Sequence, residues 1–364
     1  MAKIHTHLLK FLDDEHNDDV NYQILIDIFS EMKIHENRNE IKSLLYLLLK
    51  LSTNHHRSIL FFNKIERILT IFKNDIKIFF SNSEIFHIFK GSKRILLFLL
   101  EENLLKIDGF ITSKFHDDRY SQMYYPIYFL PEIKPFVNEE WYENTEKENL
   151  TEEFYKQRKE GEDEDYIMEL IRKDSIDDFI VYVNKTQFPL DSEIYLSTHD
   201  TNNYLLKNYN LTLIKYAAFF GSIQIFKYLK LNKVKITPSL LLYAIHGRNK
   251  EIFHTLEECL NDLDEDEYDD CIKKCFKESI KCHHNEFANY IEDNYLSGES
   301  DFKLINCIAY YNFDLIQNAL INESLFCYFC KYDYNIPVEI FIRENSDVIN
   351  SEIIHIFNIK YIFK

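Results

Sequence analysis

Along the first hundred residues apolar side chains recur at helical spacing in five stripes: Tyr22 to Phe29, Ile41 to Leu51, Ile59 to Phe72, Ile76 to Phe89 and Ile95 to Leu105. Each stripe predicts an amphipathic helix with one buried face. Polar breaks at His35 to Asn39, Ser52 to His56 and Ser81 to Ser83 separate them, and their Asn and Ser residues suit helix caps. Links this short predict antiparallel helix pairs.

The pattern changes between Asp117 and Leu150. Pro126, Pro131 and Pro135 are expected to break any helix there, while Tyr124, Tyr125, Tyr128, Phe129, Phe136 and Trp141 crowd the same stretch. That combination predicts a connector that packs. An acidic run from Glu160 to Asp165 then precedes the stripe Tyr166 to Val183, where negative charge complements the positive end of a helix. The chain thus divides, in sequence order, into an N-terminal helical region (1–116), a Pro- and aromatic-rich connector with an acidic linker (117–165) and a repetitive C-terminal part (166–364).

Repetition is plainest in Leu211 to Leu231, LTLIKYAAFFGSIQIFKYLKL. Ala217 and Ala218 allow two helices to approach closely, Gly221 permits the left-handed backbone that ends the first helix, and Ile225, Phe226 and Leu229 form the stripe of a second. A window shifted by 27 residues places Tyr243, Ala244, Ile245, Glu251, Ile252, Phe253 and Leu256 on the same positions, after Thr237 and Pro238. Weaker copies run from Glu278 to Ile291, with Ser279 and Ile280 at the small positions, and from Cys307 to Leu320, with Asn312 near the glycine position. Leu170 to Val183 offers a degenerate first copy through Ile171, Asp174, Ile176 and Phe179. Gly91-Ser92 matches Gly221-Ser222 in spacing and predicts one more pair. The best copies occupy 211–236, 237–260, 278–296 and 304–322.

This unit resembles an ankyrin repeat. Thr212, Ile214, Ala217, Ala218, Gly221, Ile225, Lys227 and Leu229 fall on the family pattern, and Thr212, Ala217, Ala218, Gly221, Ile225, Pro238, Ala244 and Ile252 are the positions expected to hold the repeat together. The Gly-Ala-Asp hairpin signature is missing after every copy, and NKVKI stands at Asn232 to Ile236, so helix pairs are better supported than β-hairpin fingers. The wording YAAFFGSIQIFKYL, TPSLLLYAIHGRN and IKCHHNEFANYI also resembles a group of single-celled-eukaryote proteins in which a domain of unknown function lies over divergent ankyrin repeats, covering about residues 160 to 320. The resemblance implies an all-α helical-pair solenoid that acts as a binding scaffold, and it supplies no catalytic residue.

Composition narrows the function classes. With 46% hydrophobic residues, 30 Phe and 25 Tyr, the 364-residue chain is globular, and 6 Gly with 6 Pro starve a turn-dense β architecture. A net charge of −18 would repel phosphate backbones, which argues against nucleic acid as partner. No apolar run approaches the roughly 18 residues needed to span a bilayer, and Met1 to Asp14 lacks the core of an export signal, so a cytoplasmic or nuclear address is expected. The four Asn-x-Ser/Thr sequons, at Asn149, Asn184, Asn210 and Asn322, are then chance matches. All seven Cys lie between Cys259 and Cys330 and are expected as reduced thiols.

Catalytic motifs are missing. Neither phosphate-binding glycine loop occurs, nor a zinc helix of the H-E-x-x-H kind, and Gly91-Ser92, Gly221-Ser222 and Gly298-Glu299-Ser300 lack the flanks of a nucleophile elbow. Asp262, Asp264 and Asp266 open like a calcium loop, but Glu267 and Lys273 stand where Gly and Glu are needed, so a solvated acidic loop is expected. Cys327 and Cys330 have the spacing of a zinc half-site, with Cys271, Cys275, Cys282, His283 and His284 as conceivable completions; Cys271 and Cys275, however, sit four apart on one helix, where thiols commonly fill core. The alternative function is thus a metal-dependent helical enzyme built on residues 259–284. The favoured reading is no enzyme and no cofactor, but a scaffold for a protein partner.

In that reading the two residues after each small pair face the concave side of the stack. They are Phe219 with Phe220, His246 with Gly247, Lys281 with Cys282 and Ala309 with Tyr310. Phe219, Phe220, His246, Lys281 and Tyr310 are therefore the candidate partner-binding residues, since aromatic anchors tend to carry binding energy. Packing of the two Phe rings against a neighbouring repeat is the competing expectation.

Overall fold

Helix starts follow side-chain caps. In the computed structural model, which describes residues 1–14, 18–56, 60–117, 123–161, 165–208, 210–296, 300–316 and 323–334, Ser81 accepts from the Glu84 amide while the Glu84 carboxylate accepts from the Ser81 amide. That capping box divides the stripe Ile76 to Phe89 into two helices. Ser92, Asp108, Asn138, Thr151, Asp165, Asn202 and Asn249 cap later helices in the same way. The described residues are helical throughout their regular structure and contain no strand. A lone antiparallel bridge joins Glu193 and Thr212. No described helix is long and apolar enough to cross a membrane.

Contacts divide the chain into two compact units. One consists of Met1–Leu51 together with the segment from Phe276 onward, and the other of Ser52–Cys275. This differs from the division in sequence order at 116 and 165. The N-terminal helices α1 (Ala2–Asp13), α2 (Asp18–Glu31) and α3 (Arg38–Asn54) open the first unit. Ile4, Leu8, Phe11 and Leu12 form the buried stripe of α1, which packs on the adjacent α2 and on Phe313–Ile316, some three hundred residues further along the chain.

The second unit begins with α4 (Phe61–Ile71), α5 (Lys73–Phe79), α6 (Asn82–Phe89), α7 (Lys93–Glu101) and α8 (Gly109–Phe115). Every residue from Lys93 to Leu99 is buried, so α7 is the central helix of this part. The prolines do not abolish helix in the connector: α9 (Tyr125–Tyr128) and α10 (Leu130–Ile133) carry Pro126 and Pro131 in their first turn, and Pro135 opens a 3-10 turn. Proline fits there because the first amides of a helix need no partner within it. The connector does pack, with Tyr125, Tyr128, Phe129, Leu130 and Ile133 inaccessible to solvent. Helices α11 (Glu139–Asn149) and α12 (Glu152–Glu160) follow, and Arg158 of α12 clamps Glu132 with two bonds of 2.8 and 2.9 Å. Lys93, also buried, donates to the carbonyls of Met123 and Thr198, each at 3.1 Å.

From Asp165 onward the helices come in pairs. They are α13 (Tyr166–Arg172) with α14 (Ile176–Thr186), then, after the short α15 (Asn203–Leu206), α16 (Leu213–Phe220) with α17 (Ile223–Leu231) and α18 (Leu240–Gly247) with α19 (Lys250–Glu257). Next come α20 (Glu265–Lys281) and α21 (Asn285–Tyr295), α22 (Ser300–Tyr310) and α23 (Phe313–Ile316), and finally α24 (Glu323–Lys331). Ile59, the acidic positions 162–164, Gly298 with Glu299, and the end of the fourth copy with Asn322 lie outside the described residues.

Candidate functional site

Each pair turns on one left-handed residue. Asp174, Gly221, Arg248, His283 and Tyr311 have φ of 49, 72, 54, 58 and 59° and follow the first helix of their pairs. At four of them the next amide reaches back five residues: Ser175 to Leu170, Ser222 to Ala217, His284 to Ser279 and Asn312 to Cys307, at 2.9 to 3.0 Å. This is the Schellman closure that satisfies orphan carbonyls at a helix end. Gly221 behaves as its sequence position predicts. Gly91 does not: the positive-φ glycines among the described residues are Gly161 and Gly221, so α6 and α7 form a pair with a different turn.

The residue after the turn ties a copy to the one before it. Ser222 Oγ donates to the Ile171 carbonyl, and Asn249 Nδ2 donates to the Gly221 carbonyl at 3.0 Å. In the other unit Asn312 Nδ2 donates to the Ile280 carbonyl at 3.1 Å. Asp174 accepts from the amides of Gln224 and Ile225 at 3.1 and 3.0 Å, capping the following copy's second helix. Ala217, Ala218, Ile225, Phe226 and Leu229 are inaccessible, as are Ala244, Ile245, Ile252 and Leu256. Gly247, assigned by spacing to the open face, instead lies where two backbones meet: a Cβ there would stand 2.1 Å from the Ala218 carbonyl oxygen.

The candidate face residues of the second unit are not equivalent. Phe219 is buried, 7% exposed, and stacks on His246 with centroids 4.9 Å apart. Tyr204, from α15, covers both: its ring lies 5.8 Å from Phe219 and 4.1 Å from His246. Phe219 and His246 thus pack against the chain's own Tyr204, which occupies the space beside their rings. Phe220 is half-buried, with Tyr216 at 4.6 Å.

In the first unit, Lys281 and Tyr310 belong to a group of ionisable side chains. Lys281 pairs with Glu278 at 2.6 Å, and Lys50, from α3, sits 5.5 Å from the centre of the Tyr310 ring. Burial, then the like charge of Lys281, lowers the Lys50 amine to about 8. Burial raises the Tyr310 hydroxyl and the Cys282 thiol. Such a half-buried amine is a better nucleophile near neutral pH than an ordinary lysine.

The remaining candidate metal-binding residues scatter. Cys271 and Cys275 hydrogen-bond to each other along α20, which lowers the Cys271 thiol. Cys327 and Cys330 are half-buried on α24, and burial raises Cys330 to about 11. Asp264 accepts from the Glu267 amide at 2.8 Å and so caps α20, while Asp262 ends a 3-10 turn; the acidic run is a helix start. His283 is buried against His5, with Nδ1 and Nε2 2.8 Å apart.

Residues 231–320 match the family described as Domain of unknown function (DUF3447). A DUF3447 domain thus spans the helices from α18 to α23, with the turns at Arg248, His283 and Tyr311, and fits the unknown-function domain anticipated from the wording of those copies. Helix pair α16–α17, the clearest copy by sequence, lies outside the match except for its last residue, Leu231. No curated protein and no solved structure matches the chain.

Sequence reasoning missed Tyr204, Lys50 and His5, and placed Gly247 on the open face. A histidine at the glycine position of a turn was the one visible signal for His283, since a bulky left-handed residue calls for compensating contacts.

Proposed function

We propose that the chain is a non-catalytic scaffold of divergent ankyrin type that binds a protein partner. The recurrence of one turn at Asp174, Gly221, Arg248, His283 and Tyr311, each joining two helices, supports this reading best. Stacked units of this kind present side chains on rigid elements and need no reaction centre. With Phe219 and His246 covered by Tyr204, exposed aromatic side chains of the connector and its flank are the stronger candidates for a partner. Phe136, Trp141 and Tyr155 are 46, 37 and 45% exposed; Arg158, which clamps Glu132, lies 5.6 Å from the centre of the Tyr155 ring. Rigidly mounted aromatics are the usual anchors of a protein interface.

Proximity labelling with the full chain identifies the partner, and pull-down with Phe136→Ser and Trp141→Ser together tests the face. Binding weakened by tenfold or more at unchanged helicity is the expected result. Full binding by this variant would move the face elsewhere, and labelling that enriches no protein over a control would sink the scaffold reading.

A further inference from the structure

In the first unit the N-terminal helix is fastened to the repeats by a chain of hydrogen bonds through two buried imidazoles. His5, on α1, is inaccessible to solvent, and His283, at the turn after α20, is 3% exposed. Their rings meet edge to face with centroids 4.8 Å apart, and His283 Nδ1 lies 2.8 Å from His5 Nε2. The backbone amide of Asp314, at the start of α23, donates to His5 Nδ1 at 3.2 Å. Thr6 Oγ donates to Asp314 Oδ1 at 2.7 Å.

One backbone amide sets every proton in this chain. An amide N–H can only donate, so His5 Nδ1 presents a lone pair and His5 carries its proton on Nε2. That N–H points at His283 Nδ1, which must therefore accept, and the His283 proton resides on Nε2. Both basic nitrogens are thus occupied by donors. A further proton on either imidazole has to displace one of those bonds.

We propose that His5 and His283 form an acid-sensitive latch that holds α1 on the repeats at neutral pH and releases it when either imidazole is protonated. Ionisable groups on the elements packed around the pair include Lys3 and His7 on α1 itself, Glu31 on α2, Glu278 and Lys281 at the end of α20, which pair at 2.6 Å, His284 and Glu286 at the head of α21, and Asp314 on α23. Lys3 and Glu31 pair with each other at 2.6 Å. Asp314 Oδ1 is 3.8 Å from His5 Nδ1 and would favour a charged His5, but the Asp314 amide already fills that lone pair. Burial raises the Asp314 carboxyl, which weakens its pull on a proton at His5 as the solution becomes acid.

The sign follows from proton uptake. With α1 docked the two imidazoles are neutral, and with α1 released they are ordinary histidines that take up protons below about pH 6.5. The docked state is fully favoured above that pH and loses about tenfold per pH unit for each proton bound below it. Release would expose Ile4, Leu8, Phe11 and Leu12.

Hydrogen exchange of the full chain at pH 7.5, 6.5 and 5.5, corrected for the intrinsic pH dependence of exchange, tests this. Amides of residues 2–13 are expected to lose only about threefold in protection from pH 7.5 to 6.5 and about a hundredfold by 5.5, two protons' worth, while those of 213–231 hold. The double variant His5→Gln, His283→Asn should show no such step. Asp314→Asn, which keeps the backbone amide, should retain it. Unchanged protection of 2–13 at pH 5.5, a simultaneous loss across both segments, or disappearance of the step in Asp314→Asn would each overturn the latch. Should the double variant fail to fold, the wild-type and Asp314→Asn profiles decide.

Discussion

The turns at Gly221 and His283 do the same backbone task with opposite chemistry. Both residues are left-handed, and both are followed by an amide that closes the preceding helix, at 2.9 Å in one and 3.0 Å in the other. Gly221 faces the backbone of the next copy: a Cβ on it would stand 2.5 Å from the Gly247 carbonyl oxygen. His283 carries a full side chain, accommodated against His5. Where two backbones come closest, only glycine fits. Where the neighbour is a side chain of another helix, the turn tolerates a residue that costs about 1 kcal/mol in this conformation and uses it to form a contact.

The sharpest test of this difference is Gly247→Ala, whose added methyl would press on Ala218 and Gly221 backbone atoms. The helices must separate, and a loss of about 4 kcal/mol in urea unfolding is expected. His283→Ala relieves no backbone clash and should cost about 1 to 2 kcal/mol, the value of a buried hydrogen bond and its orphaned partner. Equal losses would erase the distinction between the turns.

Phe219→Ser should destabilise by about 3 kcal/mol, since the ring is buried between Tyr204 and His246, whereas Phe220→Ser should cost about 1 kcal/mol. Thermal unfolding of the two variants side by side separates a packing role from a surface one. Ala218→Leu overpacks the contact with Gly247 and is expected to cost about 2 kcal/mol. An unchanged melting temperature there would mean that the helices can move apart freely. The smallest effect, about 1 kcal/mol, is expected of Ser222→Ala, which removes the bond to the Ile171 carbonyl but leaves the turn intact.

Much of the local architecture was legible in the residues. The Ala217-Ala218 pair, the glycine at 221 and the stripe Ile225, Phe226 and Leu229 announced a helix pair, and all are where their spacing put them. Prolines 126, 131 and 135 misled, because proline at the head of a short helix and proline inside one look alike in sequence. The candidate site was read less well. Phe219 and His246 occupy the anticipated register, yet nothing near them in the chain shows that Tyr204 lies across their rings. Gly247 was taken for a face position, although its smallness admits the neighbouring backbone.

The sequence by itself determined the helical class, the helix pair around Gly221 and the residue that ends its first helix. Those properties depend on neighbours three, four or five positions apart, which are written consecutively in the chain. The tertiary structure alone decided which apolar faces meet and which polar groups are buried together. Residues Met1–Leu51 fold with the segment from Phe276 onward, and His5 bonds to His283 across 278 positions. A stripe such as Ile4, Leu8 and Phe11 states that a face must be covered; hydrophobic burial is non-directional, so the identity of its cover is set only when distant helices compete to fill the same space.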